Sequence, residues 1–158
     1  MTDANQLKMA KTEYKLLCDT LDKRNWHYDR DDEKLCINVV VTGDDLPMKL
    51  TVRIDAERQL VVLHSSMPFE VAADMRIPMA VAVSCANHGM VDGCFDYDSD
   101  DGHIVFRMTA SFKGSLISGE VFDYMVAVSC STIDDYNDKF FLVASQKMPI
   151  DKITEFIK

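Results

Sequence analysis

Residues 85 to 107 constrain this chain more than any other stretch: Cys-Ala-Asn-His-Gly-Met-Val-Asp-Gly-Cys-Phe-Asp-Tyr-Asp-Ser-Asp-Asp-Gly-His-Ile-Val-Phe-Arg. The order is that of a helix end, a strand, an acidic turn and a second strand. Asn87 and Gly89 both tolerate left-handed backbone angles, so a helix running into them is expected to stop there. Gly93 begins a run that cannot be helical. Phe95 and Tyr97 alternate with Asp96 and Asp98, the period-2 pattern of a strand. Asp98-Ser99-Asp100-Asp101-Gly102 has turn chemistry, and Ile104 and Phe106 resume the alternation. The stretch fixes a fold and supplies no reaction chemistry.

The rest of the chain reads as a single α+β domain around it. Asp3 stands three residues before Gln6, a capping-box spacing, and Leu7, Tyr14, Leu17, Cys18 and Leu21 continue at helical spacing, so residues 4 to 23 are expected to form a first helix. Trp26 to Asp29 reads as a short strand, Leu35 to Thr42 as a Val-rich buried strand, Met48 to Asp55 as a strictly alternating strand and Leu60 to Ser65 as a fourth. Short turns, among them Gly43-Asp44-Asp45-Leu46-Pro47, make these an antiparallel meander. A second helix is expected from about Met75 to His88, with Pro78 in its first turn. After the opening hairpin, Ser118 caps a long third helix to about Ser145. Its apolar stripe is Phe122, Met125, Val126, Ser129, Ile133, Tyr136, Phe140, Val143 and Ala144. Pro149 starts a short terminal helix, residues 149 to 158. The predicted order is αββββαββαα: an antiparallel twisted sheet with helices packed on it.

Composition sets the outer limits. The 158 residues suffice for one domain with a real core, and 47% are hydrophobic. The formal net charge of −9 argues against a nucleic-acid or anionic-membrane partner, since both need clustered Lys and Arg. The start, Met-Thr-Asp-Ala-Asn-Gln, has no signal-peptide character, and no apolar run is long enough to span a bilayer, so a cytoplasmic location is expected. Cys18, Cys36, Cys85, Cys94 and Cys130 are odd in number with no CxxC pair, as expected of buried thiols in a reducing compartment.

Each motif with chemical potential falls short of its pattern. Asp96, Asp98, Asp100 and Asp101 resemble the start of a calcium loop, but position 6 is Asp101 instead of Gly and position 12 is Arg107 instead of Glu. Cys85 and His88 have the spacing to share a metal on a helix, yet no second pair completes a zinc set. His27, His64 and His103 stand alone. Ser65, Ser66, Ser129 and Cys130 lack an elbow that would make a nucleophile. Gly114 to Gly119 precedes a helix without the Lys of a phosphate loop, so a plain helix cap is the expectation. The ten methionines, including Met75, Met79, Met90, Met108 and Met125, read as core filling, with an adaptable binding surface as the other choice. No catalytic residue, metal ligand or cofactor is assigned.

Gly43-Asp44-Asp45-Leu46-Pro47, Ser66-Met67-Pro68, the helix ending Ala86-Asn87, Gly93-Cys94-Phe95-Asp96-Tyr97-Asp98 and Gly102-His103-Ile104-Val105-Phe106-Arg107 together resemble the YbjN family, described as bacterial sensory-transduction regulators. The resemblance runs from about Trp26 to Ala144. It implies the fold of type III secretion chaperones, usually a small acidic dimer, and no catalytic residues. The chain departs from it in the extra helix after Pro149.

The functional expectation is a noncatalytic, dimeric protein-binding module, chaperone-like or regulatory, with a protein or peptide partner. The alternative is a small-ligand sensor with a pocket between sheet and helices. The second helix carries the dimer expectation. Met79, Ala82, Val83, Ala86 and Met90 form the stripe it needs toward a sheet, while Ile77, Val81 and Cys85 add a second apolar side. Either the third helix or a two-fold partner has to cover that side.

Overall fold

A computed structural model describes residues 3–157. Helix α1 (Ala4–Lys23) opens with the expected capping box: Asp3 accepts from the Asn5 N–H, and Gln6 Oε1 accepts from the Asp3 N–H at 2.9 Å. Six antiparallel strands follow: β1 (Asp29–Asp31), β2 (Cys36–Thr42), β3 (Pro47–Asp55), β4 (Leu60–Ser66), β5 (Cys94–Tyr97) and β6 (Ile104–Ser111). Helix α2 (Arg76–His88) lies between β4 and β5 in the chain, α3 (Gly119–Ala144) follows β6, and α4 (Ile153–Ile157) ends the described fold. The sheet order is β1-β2-β3-β4-β6-β5, so the second strand of the opening hairpin joins the meander and β5 becomes an edge.

Alternation decides which face is covered. Met48, Leu50, Val52 and Ile54 of β3 are buried, with Leu63, Phe106 and Met108 beside them, and the helices pack on that side. The opposite face stays open. One row of it, Asp29, Asn38, Thr51, His64, Arg107 and Cys94, crosses all six strands in register. The result is a two-layer α+β domain, the predicted class.

Phe95 is the hub of the core beside the opening hairpin. Its ring meets Phe106, Tyr136 and Phe140 edge-on at centroid distances of 5.3, 5.6 and 4.9 Å. The hairpin turn is closed by the Gly102 N–H to the Asp98 carbonyl at 2.8 Å and the Asp98 N–H to the His103 carbonyl at 3.0 Å. Gly102 has φ +83 and lies against the Val71 backbone, where a side chain has no room.

Several boundaries differ from the sequence expectation. The first strand falls at 29–31 and not 26–29. The chain leaves α1 through Asn25 at φ +55, and the Trp26 N–H turns back to the Leu21 carbonyl at 3.1 Å. Helix α2 stops at His88 as expected, but not by a left-handed residue: Gly89 has φ −93, and Asn87 uses its side chain elsewhere. Of the five free thiols only Cys18 is fully buried; the other four are half-buried. Met90 is also half-buried, while Met75, Met79, Met108 and Met125 fill the core. On α3 the buried stripe takes in Asn137, and Tyr136 and Ala144 are only partly covered.

Candidate protein-binding surface

Helix α2 is fixed at both ends. At its start Arg76 donates to the Asp100 carbonyl, and the Tyr97 hydroxyl donates to the Arg76 carbonyl at 3.2 Å. At its end the Asn87 side chain bonds the backbone of Phe95. Between these pins Met79, Ala82, Val83 and Ala86 face the core. Ile77 (73% exposed) and Val81 (42%) face solvent, one turn apart, with Ser84 and His88 continuing the exposed line. Cys85 sits at the margin, half-buried against the core. Helix α3 packs on α2, and so does α4, a cover the sequence did not announce; Ile77 and Val81 stay exposed all the same.

A second apolar feature lies between sheet and helices. Leu21 and Trp26 from the end of α1, Val41 from β2, and Val126, Ala127 and Cys130 from α3 line a cleft of about 380 Å³. Arg24 and Asp123 pair at its side at 2.6 Å. Burial pushes the Cys130 thiol up to about 11, with the Asp134 charge adding to it, so the thiol is neutral at pH 7. Trp26 also borders a wider trough of about 1000 Å³ of mixed lining, with Asp22, Tyr28, Arg30, Asn38, Val40 and Lys49 on its walls. Burial and then the Asp22 carboxylate push the Tyr28 hydroxyl up to about 12.

Three acidic side chains here accept backbone N–H groups: Asp98 from Asp100, Asp101 from His103 and Asp134 from Asp44. The Asp98, Asp100 and Asp101 region is the closed hairpin turn described above. Asp134 accepts the Asp44 N–H on both oxygens, at 3.0 and 3.2 Å, beside Asp45, Asp135 and Asp138. Among the described residues no group of His, Cys, Asp or Glu has the geometry to hold a metal ion. Cys94 lies 3.3 Å from an Arg107 nitrogen, but burial and then Asp96 raise its pKa, the opposite of thiolate activation. Ser118 caps α3 by accepting the Val121 N–H at 3.3 Å, as expected. No described helix is long and apolar enough to cross a membrane.

The sequence pattern of the YbjN family, "Putative bacterial sensory transduction regulator", matches residues 13–142. The chain belongs to the YbjN family. Solved structures share its fold. A chain of the HopA1-SchA chaperone-effector complex superposes with a TM-score of 0.58 at 17% identity, over 82% of this chain and 97% of that one. YbjN from E. coli, "a putative transcription regulator", gives 0.60 at 15%, over 84% and 92%. A chain of the ExsC-ExsE complex gives 0.55 at 16%, over 79% and 90%. Comparison with curated proteins gave no match. The YbjN match ends before α4, so the terminal helix is an addition to the family's matched region.

Proposed function

We propose that this YbjN-family chain is a noncatalytic, cytoplasmic protein-binding module, chaperone-like or regulatory, that works as a homodimer. The observation that carries the reading is the line of Ile77 and Val81 left in solvent on a helix pinned at both ends, with Cys85 at its margin. A rigid helix with small neighbours such as Ala80 and Ser84 is suited to a self-complementary two-fold contact. The fold that the chain shares with members of chaperone-effector complexes supports a polypeptide as the further partner. The test is native mass spectrometry on chain purified from its own source: a bound polypeptide supports the reading, and a bound small molecule refutes it.

A second reading, a small-ligand sensor, has one observation in its favour. The cleft of Leu21, Trp26, Val41, Val126, Ala127 and Cys130 is apolar and large enough for a small molecule. The same spectrum decides between the two.

A further inference from the structure

Strands β2 and β4 flank β3, and neither carries an acidic residue. Lys49 and Arg53 of β3 alternate with the buried Met48, Leu50, Val52 and Ile54, so they stand on the open face of the sheet. His64 of β4, in register with Thr51, stands there with them. Lys49 and Arg53 are exposed and His64 is half-buried. Among the described residues, none of these three side chains is held in a hydrogen bond or an ion pair. Arg107, the next cation along the row, is by contrast held by Asp96 of β5 at 2.6 Å. Each unpaired cation of β3 has an aliphatic neighbour in register: Val40, 69% exposed, opposite Lys49, and the half-buried Val62 opposite Arg53. Because β3 is an inner strand, these charges are not needed to guard an edge. A chain of net charge −9 therefore keeps a positive patch, mixed with aliphatic surface, on the side of the sheet away from its helices.

We propose that the open sheet face around Lys49, Arg53 and His64 is a docking surface for a short acidic segment of a partner polypeptide. The proposal rests on the protein-binding reading and names the partner's chemistry. Lys49 and Arg53 lie four residues apart on one strand, a span of about 13 Å. Two carboxylates at that spacing, with an aliphatic side chain between them, answer both the charges and the exposed valines. Burial and then the Arg53 charge lower the pKa of His64, so it meets the segment as a neutral imidazole with one N–H to donate. A long polyanion such as nucleic acid suits the face poorly, because the net negative charge of the chain repels whatever extends past the patch.

The test is fluorescence polarisation at low salt with the full-length chain and a fluorescein-labelled peptide, Glu-Ser-Val-Ser-Glu-Ser-Val-Ser-Glu. When this peptide is extended, its Glu and Val side chains share one side. The unaltered chain is expected to bind it, and to bind the same labelled peptide with Gln for Glu about tenfold more weakly. Lys49→Glu/Arg53→Glu is expected to weaken binding of the acidic peptide about tenfold or more, since attraction becomes repulsion at both positions. Lys8→Glu/Lys11→Glu makes the same change in net charge on α1, across the sheet from the patch, and is expected to bind as the unaltered chain does. The proposal is overturned if the unaltered chain does not bind the acidic peptide, or if the α1 variant loses as much as the β3 variant. A single-stranded DNA of similar length that binds more tightly than the peptide also overturns it. Should the β3 variant not fold, Lys49→Gln/Arg53→Gln takes its place, with a loss of about threefold or more expected and no loss overturning the proposal. A polypeptide seated elsewhere still appears in the native mass spectrum, so failure here is separable from failure of the protein-binding reading.

Discussion

The side-chain amide of Asn87 bonds both backbone groups of Phe95: its oxygen accepts the Phe95 N–H at 2.8 Å, and its nitrogen donates to the Phe95 carbonyl at 2.9 Å. In an antiparallel ladder both backbone groups of one residue point to the same side, so Asn87 takes the side of Phe95 turned away from β6. One residue thus closes part of an open sheet edge and ties the end of α2 to the aromatic hub. Asn87→Ala leaves both partly buried groups unpaired and is expected to cost about 1–3 kcal/mol. Asn87→Asp keeps the acceptor and loses the donor, setting a carboxylate against a carbonyl. The protonated acid can still donate to that carbonyl, so the variant is expected to be more stable in acid than at neutral pH. Melting curves of Asn87→Asp at acid and neutral pH check this; a variant as stable as the parent at pH 7 contradicts it.

Glu13 is fully buried on α1. One carboxylate oxygen accepts the Ile117 N–H at 2.9 Å, and the other has no hydrogen-bond partner. Burial raises its pKa more than the Ile117 bond lowers it. A raised carboxyl contributes stability that is present below its unfolded value and is lost as pH rises through the folded one. Glu13→Gln keeps the acceptor and removes the charge. It is expected to gain about 1 kcal/mol near pH 7, or about 2–4 °C in Tm, with the gain vanishing toward pH 4. A gain that is independent of pH contradicts this.

Cys130 borders the cleft with a thiol held neutral by burial. Its alkylation by iodoacetamide at pH 7 is expected to be about two orders of magnitude slower than that of free cysteine, which titrates near 8.5. Peptide mass spectrometry over a time course reads the rate. Modification of Cys130 at the free-cysteine rate contradicts the assignment.

Local signals carried most of the fold. Asp3 with Gln6, Ser118, and the alternation of β3 each act within a few residues, and each lies where the sequence placed it. The hairpin was legible, whereas the insertion of β6 beside β4 was not, because register between distant strands leaves no short-range mark. Asn87 was misread for the same reason: its propensity suits a helix end, but its partners are eight residues away. The excess of apolar residues on α2 marked Ile77, Val81 and Cys85 as a second apolar side and left open what covers it; Ile77 and Val81 are exposed and Cys85 is half-buried. Nothing in Ile153 or Ile157 announced α2 as their seat. The cleft was illegible because Leu21, Val41 and Val126 meet only in the folded chain.

The proposed homodimer meets through the exposed line of α2. Val81 is 42% exposed, so a carboxylate there is expected to reach water in the monomer and to lose it on association. Burying that charge unpaired is expected to cost about 2–4 kcal/mol of dimer affinity. Light scattering coupled to size exclusion, on the unaltered chain and on Val81→Glu, is the direct measurement. The account predicts a dimer for the first and a folded monomer for the second; a monomer for the first, or a folded dimer for the second, contradicts it.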